Sequence, residues 1–230
     1  MMLSRNFYIF MVLLGGLYFL SACESPRSEQ GDLDSLLFAT EIISFEEGDG
    51  AGFGQEELPE IALGPPGKSS QSQGSLDVVS LGVGGSIIVG FGDRSIVDGP
   101  GPDFIVFENA FWPGGNERNV WAELGEVSVS SDGVDWVVFS CTAEGTEAGT
   151  YPGCAGWTPT RSFDALSLFE LSPDIVGGDA FDLAETGLKE ARYVRIVDLG
   201  SDAIPPSAGF DFDAVGLINW GVITTDANEP

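Results

Sequence analysis

The sequence predicts an all-β protein, and three observations lead to that prediction. Apolar residues come in runs of about four to eight, a length typical of strands rather than helices. Turn-forming residues separate these runs, and the chain contains 32 glycines and 13 prolines. Glu126–Ser131 alternates apolar and polar residues with the period of a strand. We therefore expect a β-sandwich, of the jelly-roll kind, with long Gly/Pro-rich loops and at most one short helix.

Eight segments have the composition of strands, in this order: residues 36–45, 76–81, 86–91, 103–108, 126–131, 134–139, 193–197 and 212–218. Gly82-Val-Gly-Gly85 separates the second from the third and predicts a hairpin. Asp132-Gly133 predicts another turn, because a strand-like run returns directly after it. Residues 181–189 alone look helical. Residues 46–75, rich in Gly, Pro, Glu, Ser and Gln, predict a long excursion over the surface.

The first 23 residues predict export. Arg5 supplies a short positive region, and the apolar stretch that follows is broken by two glycines before it reaches the roughly 20 residues of a membrane span. Leu20-Ser-Ala-Cys23 then resembles the bacterial lipobox. That resemblance implies cleavage before Cys23 and lipid on its sulfur and amine. An ordinary secretory signal, with a cysteine at the cleavage point by chance, is the alternative.

The chain is therefore expected to have four parts. Residues 1–22 form a lipoprotein signal peptide, and residues 23–35 form a flexible tether that starts at the lipidated cysteine. Residues 36–222 form a single β-sandwich domain, followed by a C-terminal tail over residues 223–230. The expected location is the outer membrane or cell surface, where the N-terminal lipid anchors the protein to the membrane.

Acidic residues dominate the charge. The chain has 36 Asp and Glu against nine Lys and Arg, a formal net charge of −27. Such a field repels nucleic acid, so nucleic-acid binding is excluded as a function, whereas divalent cations are attracted. Adaptation to a salty habitat would give the same surplus without any ligand.

Two cysteines remain besides the lipidation site. Cys141 and Cys154 are close in sequence, and an exported chain occupies an oxidising compartment. We therefore expect a disulfide between them. A cysteine-based metal site would need further ligands, and the chain contains no histidine.

Three segments carry a family resemblance. Val127–Trp136 resembles the discoidin-type hairpin, Ala191–Ile196 resembles a later strand of that family, and Gly209–Val215 lies where its closing strand is found. The resemblance implies a galactose-binding-like β-sandwich over about residues 76–220. The whole chain is also similar to uncharacterised bacterial cell-surface lipoproteins, through its Gly-Pro-Gly-Pro-Asp-Phe, Gly-Gly-Asp-Ala-Phe-Asp and Gly-Phe-Asp-Phe-Asp patterns.

Acidic residues beside glycines predict a Ca²⁺ site. Strand alternation places Asp211 and Asp213 on one face and Phe212 on the other, and two neighbouring carboxylates repel unless a cation or donor separates them. Sandwiches of the family that the chain resembles often hold Ca²⁺ near their terminal strands. The candidate ligands are Asp103, Glu108, Asp179, Asp182, Asp211 and Asp213. Alternatively, these acids cap turns or pair with Arg161, Arg192 or Arg195.

Aromatic residues in turn-rich stretches predict a glycan site, because exposed rings stack on sugars beside a few polar groups. Phe111, Trp112, Trp121, Tyr151 and Trp157 lie in such stretches. The candidate ligand-binding residues are Trp112, Trp157, Tyr151 and Asn116. The alternative is that these rings fold back and seal the ends of the sandwich.

The absence of histidine excludes a Ser-His-Asp triad, a Cys-His pair and a His-ligated zinc. We therefore expect a protein that is not an enzyme: a cell-surface binding module for glycan, stabilised by calcium. A structural or assembly lipoprotein of the envelope, with a surface protein as partner, is the first alternative. A glycosidase, which needs only two carboxylates, is the second.

Overall fold

The computed structural model describes residues 36–67, 73–146, 150–161, 171–200 and 204–223. Cys23, the predicted signal peptide and most of the predicted tail lie outside the described residues. Within them, no helix is long and apolar enough to cross a membrane.

The regular secondary structure of the described residues consists mostly of β-strands, which confirms the predicted all-β class. The strands are β1 (Glu41–Glu46), β2 (Val79–Ser80), β3 (Ser86–Gly90), β4 (Arg94–Val97), β5 (Phe104–Glu108), β6 (Gly125–Ser130), β7 (Val137–Val138), β8 (Cys154–Ala155), β9 (Asp179–Phe181), β10 (Glu190–Ala191), β11 (Tyr193–Asp198), β12 (Asp211–Leu217) and β13 (Trp220–Val222). One α-helical turn, α1, spans Pro173–Val176, and 3-10 helices span Gln55–Glu57, Glu60–Ala62, Pro113–Gly115 and Leu183–Glu185.

The strands form two main sheets and a small third one, and every pairing is antiparallel. The first sheet has the order β1-β3-β11-β6-β7, with β8 also paired to β6. The second has the order β2-β12-β5-β9, and the third has the order β10-β4-β13. The layers are those of a sandwich, as predicted.

The main core lies between the two large sheets. The first sheet contributes Val89, Ile196 and Val127, and the second contributes Phe212 and Val215; all are fully buried. Burying one such side chain stabilises the fold by about 1.5–3 kcal/mol.

Strand β5 is covered on both faces. Phe104 and Val106 point into the main core, while Ile105 and Phe107 join a second apolar cluster that includes Phe38. Burial on both faces explains why this strand is an unbroken apolar run.

The predicted hairpin at Gly82–Gly85 is wrong. β2 pairs with β12 in the second sheet, whereas β3 pairs with β1 and β11 in the first, so the glycine-rich stretch crosses between sheets. Its glycines permit a close approach of two backbones. A Cβ on Gly85 would overlap the Leu81 carbonyl and lie 2.7 Å from the Gly48 nitrogen.

The predicted helix over residues 181–189 is also wrong. Phe181 ends strand β9, where it pairs with Phe104. Only Leu183–Glu185 is helical, as a single 3-10 turn whose Ala184 N–H donates to the Asp182 side chain at 2.9 Å. Gly187, at φ +77°, lies beyond that turn.

Residues 46–75, which were expected to run over the surface as a long excursion, pack in part against the main core. Ala62 is buried, and Leu58, Ile61 and Leu63 pack against the main core. The Phe53 carbonyl accepts a hydrogen bond from the Ser80 N–H at 3.1 Å, which ties this segment to β2. Residues 68–72 of the segment lie outside the described residues.

Two predictions about β6 and its surroundings are confirmed. β7 returns antiparallel to β6 after the Asp132-Gly133 turn, with Ser128 opposite Val138. Cys141 and Cys154 form a disulfide, with Cα atoms 4.6 Å apart.

Candidate functional site

The predicted acidic residues lie along the second sheet, in four separate places. Asp213 sits at a bulge in β12, where the register with β5 shifts between Phe212 and Ala214. Phe212 is fully buried in the main core. Asp211 and Asp213, on either side of Phe212, have different hydrogen-bond partners. Strand alternation alone therefore does not describe the surroundings of these two carboxylates.

Asp103 and Asp182 belong to the first place, together with Asp98. Their ligating oxygen atoms all lie within 4.8 Å of one another. The buried Asp103 carboxylate accepts hydrogen bonds from the Leu183 N–H at 2.7 Å and from the Asn219 side chain at 2.9 Å. Among the described residues, this group alone combines three acids at a spacing that suits a metal ion.

The Asp98 carboxylate of that cluster already has a cationic partner. The exposed Lys189 ammonium donates to Asp98 Oδ2, and this contact raises the pKa of Lys189. A metal ion would therefore compete with an ammonium group that reaches in from solvent.

Asp179 occupies the second place and is buried beside the disulfide loop. Its Oδ2 accepts the backbone N–H groups of Gly156 at 2.7 Å, Trp157 at 3.0 Å and Thr158 at 3.4 Å. Burial nevertheless raises the pKa of Asp179 to about 6. These contacts attach the loop after Cys154 to strand β9.

Asp213 occupies the third place and lies near Asp77. Its Oδ1 accepts the Gly67 N–H at 2.7 Å, while its buried Oδ2 has no hydrogen-bond partner among the described residues. Burial, and to a smaller extent the charge of Asp77, raises the pKa of Asp213 to about 8.

The fourth place contains a cavity of about 210 Å³ at one end of the second sheet. It is lined by Asn109, Phe111, Trp121, Glu123, Ile204, Ser207 and Asp211. Trp121 is 54% exposed and Ile204 is 83% exposed, whereas Glu123 and Asp211 are buried. The cavity therefore combines exposed apolar groups with buried carboxylates.

The backbone positions the aromatic pair of this cavity. Phe111 and Trp121 form an isolated antiparallel bridge, in which each donates its N–H to the other's carbonyl, at 3.3 and 2.8 Å. Their rings consequently stack, with centroids 6.2 Å apart and planes inclined by 20°. One face of the Trp121 ring is therefore turned toward the Phe111 ring.

Polar contacts fix the acidic part of the cavity. The Ser207 hydroxyl donates to the Asp211 carboxylate at 3.1 Å, and the Asn109 amide donates to it at 3.5 Å. The Asn109 side-chain oxygen accepts the Ser75 N–H. Burial raises the pKa of Asp211 above its ordinary value.

Glu108 lies against the wall of the cavity. Its carboxyl group accepts hydrogen bonds from the backbone N–H groups of Asn109 and Asp211, which both line the cavity. The side chain is only 3% exposed, and Oε2 has no hydrogen-bond partner among the described residues. Burial, with the nearby charges of Asp211 and Glu123, raises the pKa of Glu108 well above its usual range.

The predicted glycan-binding residues lie elsewhere. Trp157 and Tyr151 contact each other edge to face beside the disulfide, and Trp157 Nε1 donates to the Cys154 carbonyl at 3.1 Å. Trp112 precedes the 3-10 turn of Pro113–Gly115, and the exposed Asn116 accepts the Arg118 N–H at 3.3 Å. The structure brings Tyr151 and Trp157 together, but places neither on the walls of the cavity.

Sequence reasoning missed Asp98, Glu123 and Ser207 as members of these sites. Asp98 lies in a Gly- and Pro-rich turn, and the signal available for Glu123 was its closeness in sequence to Trp121. Ser207 lies in a turn that only the fold brings next to Asp211.

Comparison of the sequence with models of known protein families gives no match, and no curated protein matches it at a significant level.

Proposed function

We propose that this chain is a lipid-anchored binding module of the cell surface and that the cavity at Asn109–Asp211 binds glycan. The observation that carries the proposal is the exposed Trp121 ring, backed by Phe111 and adjacent to buried hydrogen-bonding side chains. Sugars offer an apolar face for stacking and hydroxyl groups for carboxylate and amide partners. This arrangement supplies both in one concave site.

The test is a glycan array followed by calorimetric titration of any hit with the full-length protein in detergent. Trp121→Ala should weaken binding by about tenfold or more, since a stacked aromatic is the usual anchor of such a site. Trp220→Ala is the matched control, because Trp220 is 37% exposed but belongs to β13 of the third sheet. Equal losses for the two variants would contradict the proposed site.

The location is part of the proposal and rests on the Leu20-Ser-Ala-Cys23 pattern. Lipid attached to Cys23 would hold the protein on a membrane, at about 0.8 kcal/mol for each buried methylene. Cys23→Ser should move the protein from the membrane fraction to the soluble fraction. A variant that remains with the membrane would refute the anchor.

Calcium is the proposed stabilising ion, and the Asp98–Asp103–Asp182 cluster is where it would bind. Three carboxylates with converging oxygen atoms suit a hard cation that takes oxygen ligands. The midpoint of thermal unfolding should rise with millimolar Ca²⁺ relative to EDTA, and Asp182→Asn should diminish the rise. An equal rise in that variant would place the ion elsewhere.

A carboxylate-based glycosidase is the second candidate. The observation that favours it is the buried Glu108 carboxyl group close to Asp211 and Glu123, because burial and these two charges raise the pKa of Glu108 well above its usual range. A glycosidase needs such an acid opposite an ionised carboxylate. Chromatography of oligosaccharides incubated with the protein would reveal cleavage, and Glu108→Gln should abolish it.

A further inference from the structure

The cavity beside Trp121 is small for a ligand site by itself. Its volume of about 210 Å³ lies below the roughly 300–1,000 Å³ that is usual for small-molecule sites. A single sugar held there would keep much of its surface in solvent, so its affinity would be low. A tighter complex therefore needs contacts from the surface around the cavity.

A second cavity adjoins the first, because Phe111 lines both of them. The second cavity has a volume of about 600 Å³. Two chain segments form it: residues 73–76, and the turn that contributes Phe111, Pro113 and Gly114. A ligand made of linked units can therefore occupy both cavities at once.

A third cavity, of about 560 Å³, continues the same depression. It shares Ser75 and Leu76 with the second cavity and is completed by residues 65–67 and Asp77. The first and third cavities share no lining residue, so the three lie in a row with the second in the middle. We call this row the groove. Leu76, which lines two of its three cavities, is 83% exposed and accessible to a ligand.

Asn109 connects the parts of the groove. Its side-chain oxygen accepts the Ser75 N–H, and its amide donates to the Asp211 carboxylate at 3.5 Å. Gly74, at φ +67°, permits this close approach, because a Cβ at that position would overlap the Asn109 side-chain oxygen. One side chain therefore attaches the segment that lines the second and third cavities to the cavity beside Trp121.

The second and third cavities suit uncharged sugar units. Of the described residues that line them, Asp77 alone has an ionisable side chain, and it lies in the cavity farthest from Trp121. Leu76, Phe111 and three prolines offer apolar surface, whereas Gln73 offers an amide. Sugar rings have apolar faces and hydroxyl edges, so they fit a lining that is mostly apolar with a few polar groups.

We propose that the ligand is a glycan chain of several uncharged sugar units, which extends from the cavity beside Trp121 along the groove, past Leu76, to Asp77. This inference rests on the proposed function, because it assigns further subsites to the same glycan site. One sugar unit stacks on Trp121, and the units beyond it contact Phe111, Leu76 and the prolines. Affinity therefore rises with the length of the chain.

The test compares disaccharides with hexasaccharides of three neutral backbones: β-1,4-linked glucose, β-1,4-linked N-acetylglucosamine and α-1,4-linked glucose. Calorimetric titration of the full-length protein in detergent gives the Kd of each. A hexasaccharide can be placed on a two-unit site in about five ways, so a site confined to the cavity beside Trp121 would gain only about fivefold from length. We expect a gain of more than about tenfold for at least one backbone. A smaller gain on every backbone, or no binding of any of them, would overturn the inference.

Leu76→Ala tests the groove separately from the cavity beside Trp121. It should weaken binding of the hexasaccharide by about fivefold or more and change the affinity for the disaccharide by less than about twofold. Val134→Ala is the matched control and should change neither affinity. Val134 is 76% exposed and follows β6, whereas Trp121 precedes that strand. If Leu76→Ala weakens both lengths equally, or acts no differently from Val134→Ala, the groove does not bind the chain. Circular dichroism melting curves check that each variant is folded.

The proposed function and this inference fail in different ways. If no glycan on the array binds, glycan binding itself is wrong. If disaccharides and hexasaccharides bind in a manner that depends on Trp121 but differ in affinity by less than about tenfold, glycan binding stands and the groove is refuted.

Discussion

The Asp198 carboxylate accepts a hydrogen bond from the backbone N–H of Phe210 at 2.8 Å, which connects the end of β11 in one sheet to the start of β12 in the other. Its second oxygen accepts the N–H groups of Gly84 at 2.9 Å and Gly200 at 2.7 Å. One buried side chain therefore holds three chain segments, including the crossover between β2 and β3.

Asp198→Asn should lower the free energy of unfolding by about 3 kcal/mol, the scale of lost hydrogen bonds to a charged group. An amide has only one acceptor oxygen, so its NH₂ group would face at least one backbone N–H donor. Urea denaturation measures the change. The exposed Asp93→Asn serves as the control and should alter stability little. A loss no larger for Asp198→Asn than for the control would contradict the structural role of Asp198.

The disulfide should contribute to stability because it closes a short loop in the unfolded chain. Cys141 and Cys154 are separated by 13 positions, which corresponds to about 3 kcal/mol in the entropic description. Replacing both with serine should lower the melting temperature by roughly 6–12 °C for a domain of this size. Differential scanning calorimetry with and without reductant checks it. Reductant should leave the melting temperature of the double variant unchanged. If reductant did not lower the melting temperature of the wild type either, the disulfide would not contribute to stability.

The strand content could be predicted from the sequence because most strands are local patterns. Each of the eight segments expected to be strands overlaps one, and β5 extends over Phe104–Glu108 within the expected residues 103–108. The missed strands β4, β8, β9, β10 and β13 are only two to four residues long. A segment that short has no periodicity and becomes a strand only because a neighbour pairs with it.

Which strands pair with each other was harder to predict from the sequence than where the strands lie. Gly82–Gly85 has the composition of a hairpin turn, but its glycines serve the packing of Gly85 against Gly48, which is distant in sequence. The bulge at Asp213 is likewise invisible locally, because it depends on the register between β12 and β5. Both features come from tertiary contacts that override local turn preference.

The acidic residues illustrate the same limit at the candidate sites. Sequence patterns predicted one group of six possible ligands: Asp103, Glu108, Asp179, Asp182, Asp211 and Asp213. The fold distributes them over different places, and Asp179 is surrounded by the N–H groups of residues 156–158. Which acids converge depends on loops, and loop conformation is not encoded in a spacing of carboxylates.

Lys189 should oppose metal binding at the Asp98–Asp103–Asp182 cluster, since its ammonium group contacts the Asp98 carboxylate. Lys189→Met removes that competing cation while retaining a long side chain. We expect the variant to reach a given Ca²⁺-induced rise in melting temperature at a lower Ca²⁺ concentration than the wild type. Arg118→Met, which removes an exposed positive charge from another loop, is the matched control. Identical titrations of the two variants would show that Lys189 does not compete with the ion.

Stability should fall as pH rises from about 4 to 8, because burial raises the pKa of Asp213 to about 8 and that of Asp179 to about 6. In this range the folded state binds more protons than the unfolded state, whose aspartates have a pKa of about 3.9, so the slope of unfolding free energy against pH is negative. The contribution is fully present below the unfolded pKa. It is lost as pH rises through the folded pKa of each group.

Asp213→Asn isolates the contribution of one of these groups. The amide keeps an acceptor for the Gly67 N–H and does not ionise, so the variant should lose less stability between pH 5 and 8 than the wild type and should be the more stable protein at pH 8. Urea denaturation at pH 5, 6, 7 and 8 measures both quantities. Glu108 and Asp211 stay unchanged in the comparison, so their own raised pKa values remain in both proteins. Parallel pH profiles for the two proteins would mean that Asp213 is already ionised in the folded state, with a donor or cation at its Oδ2.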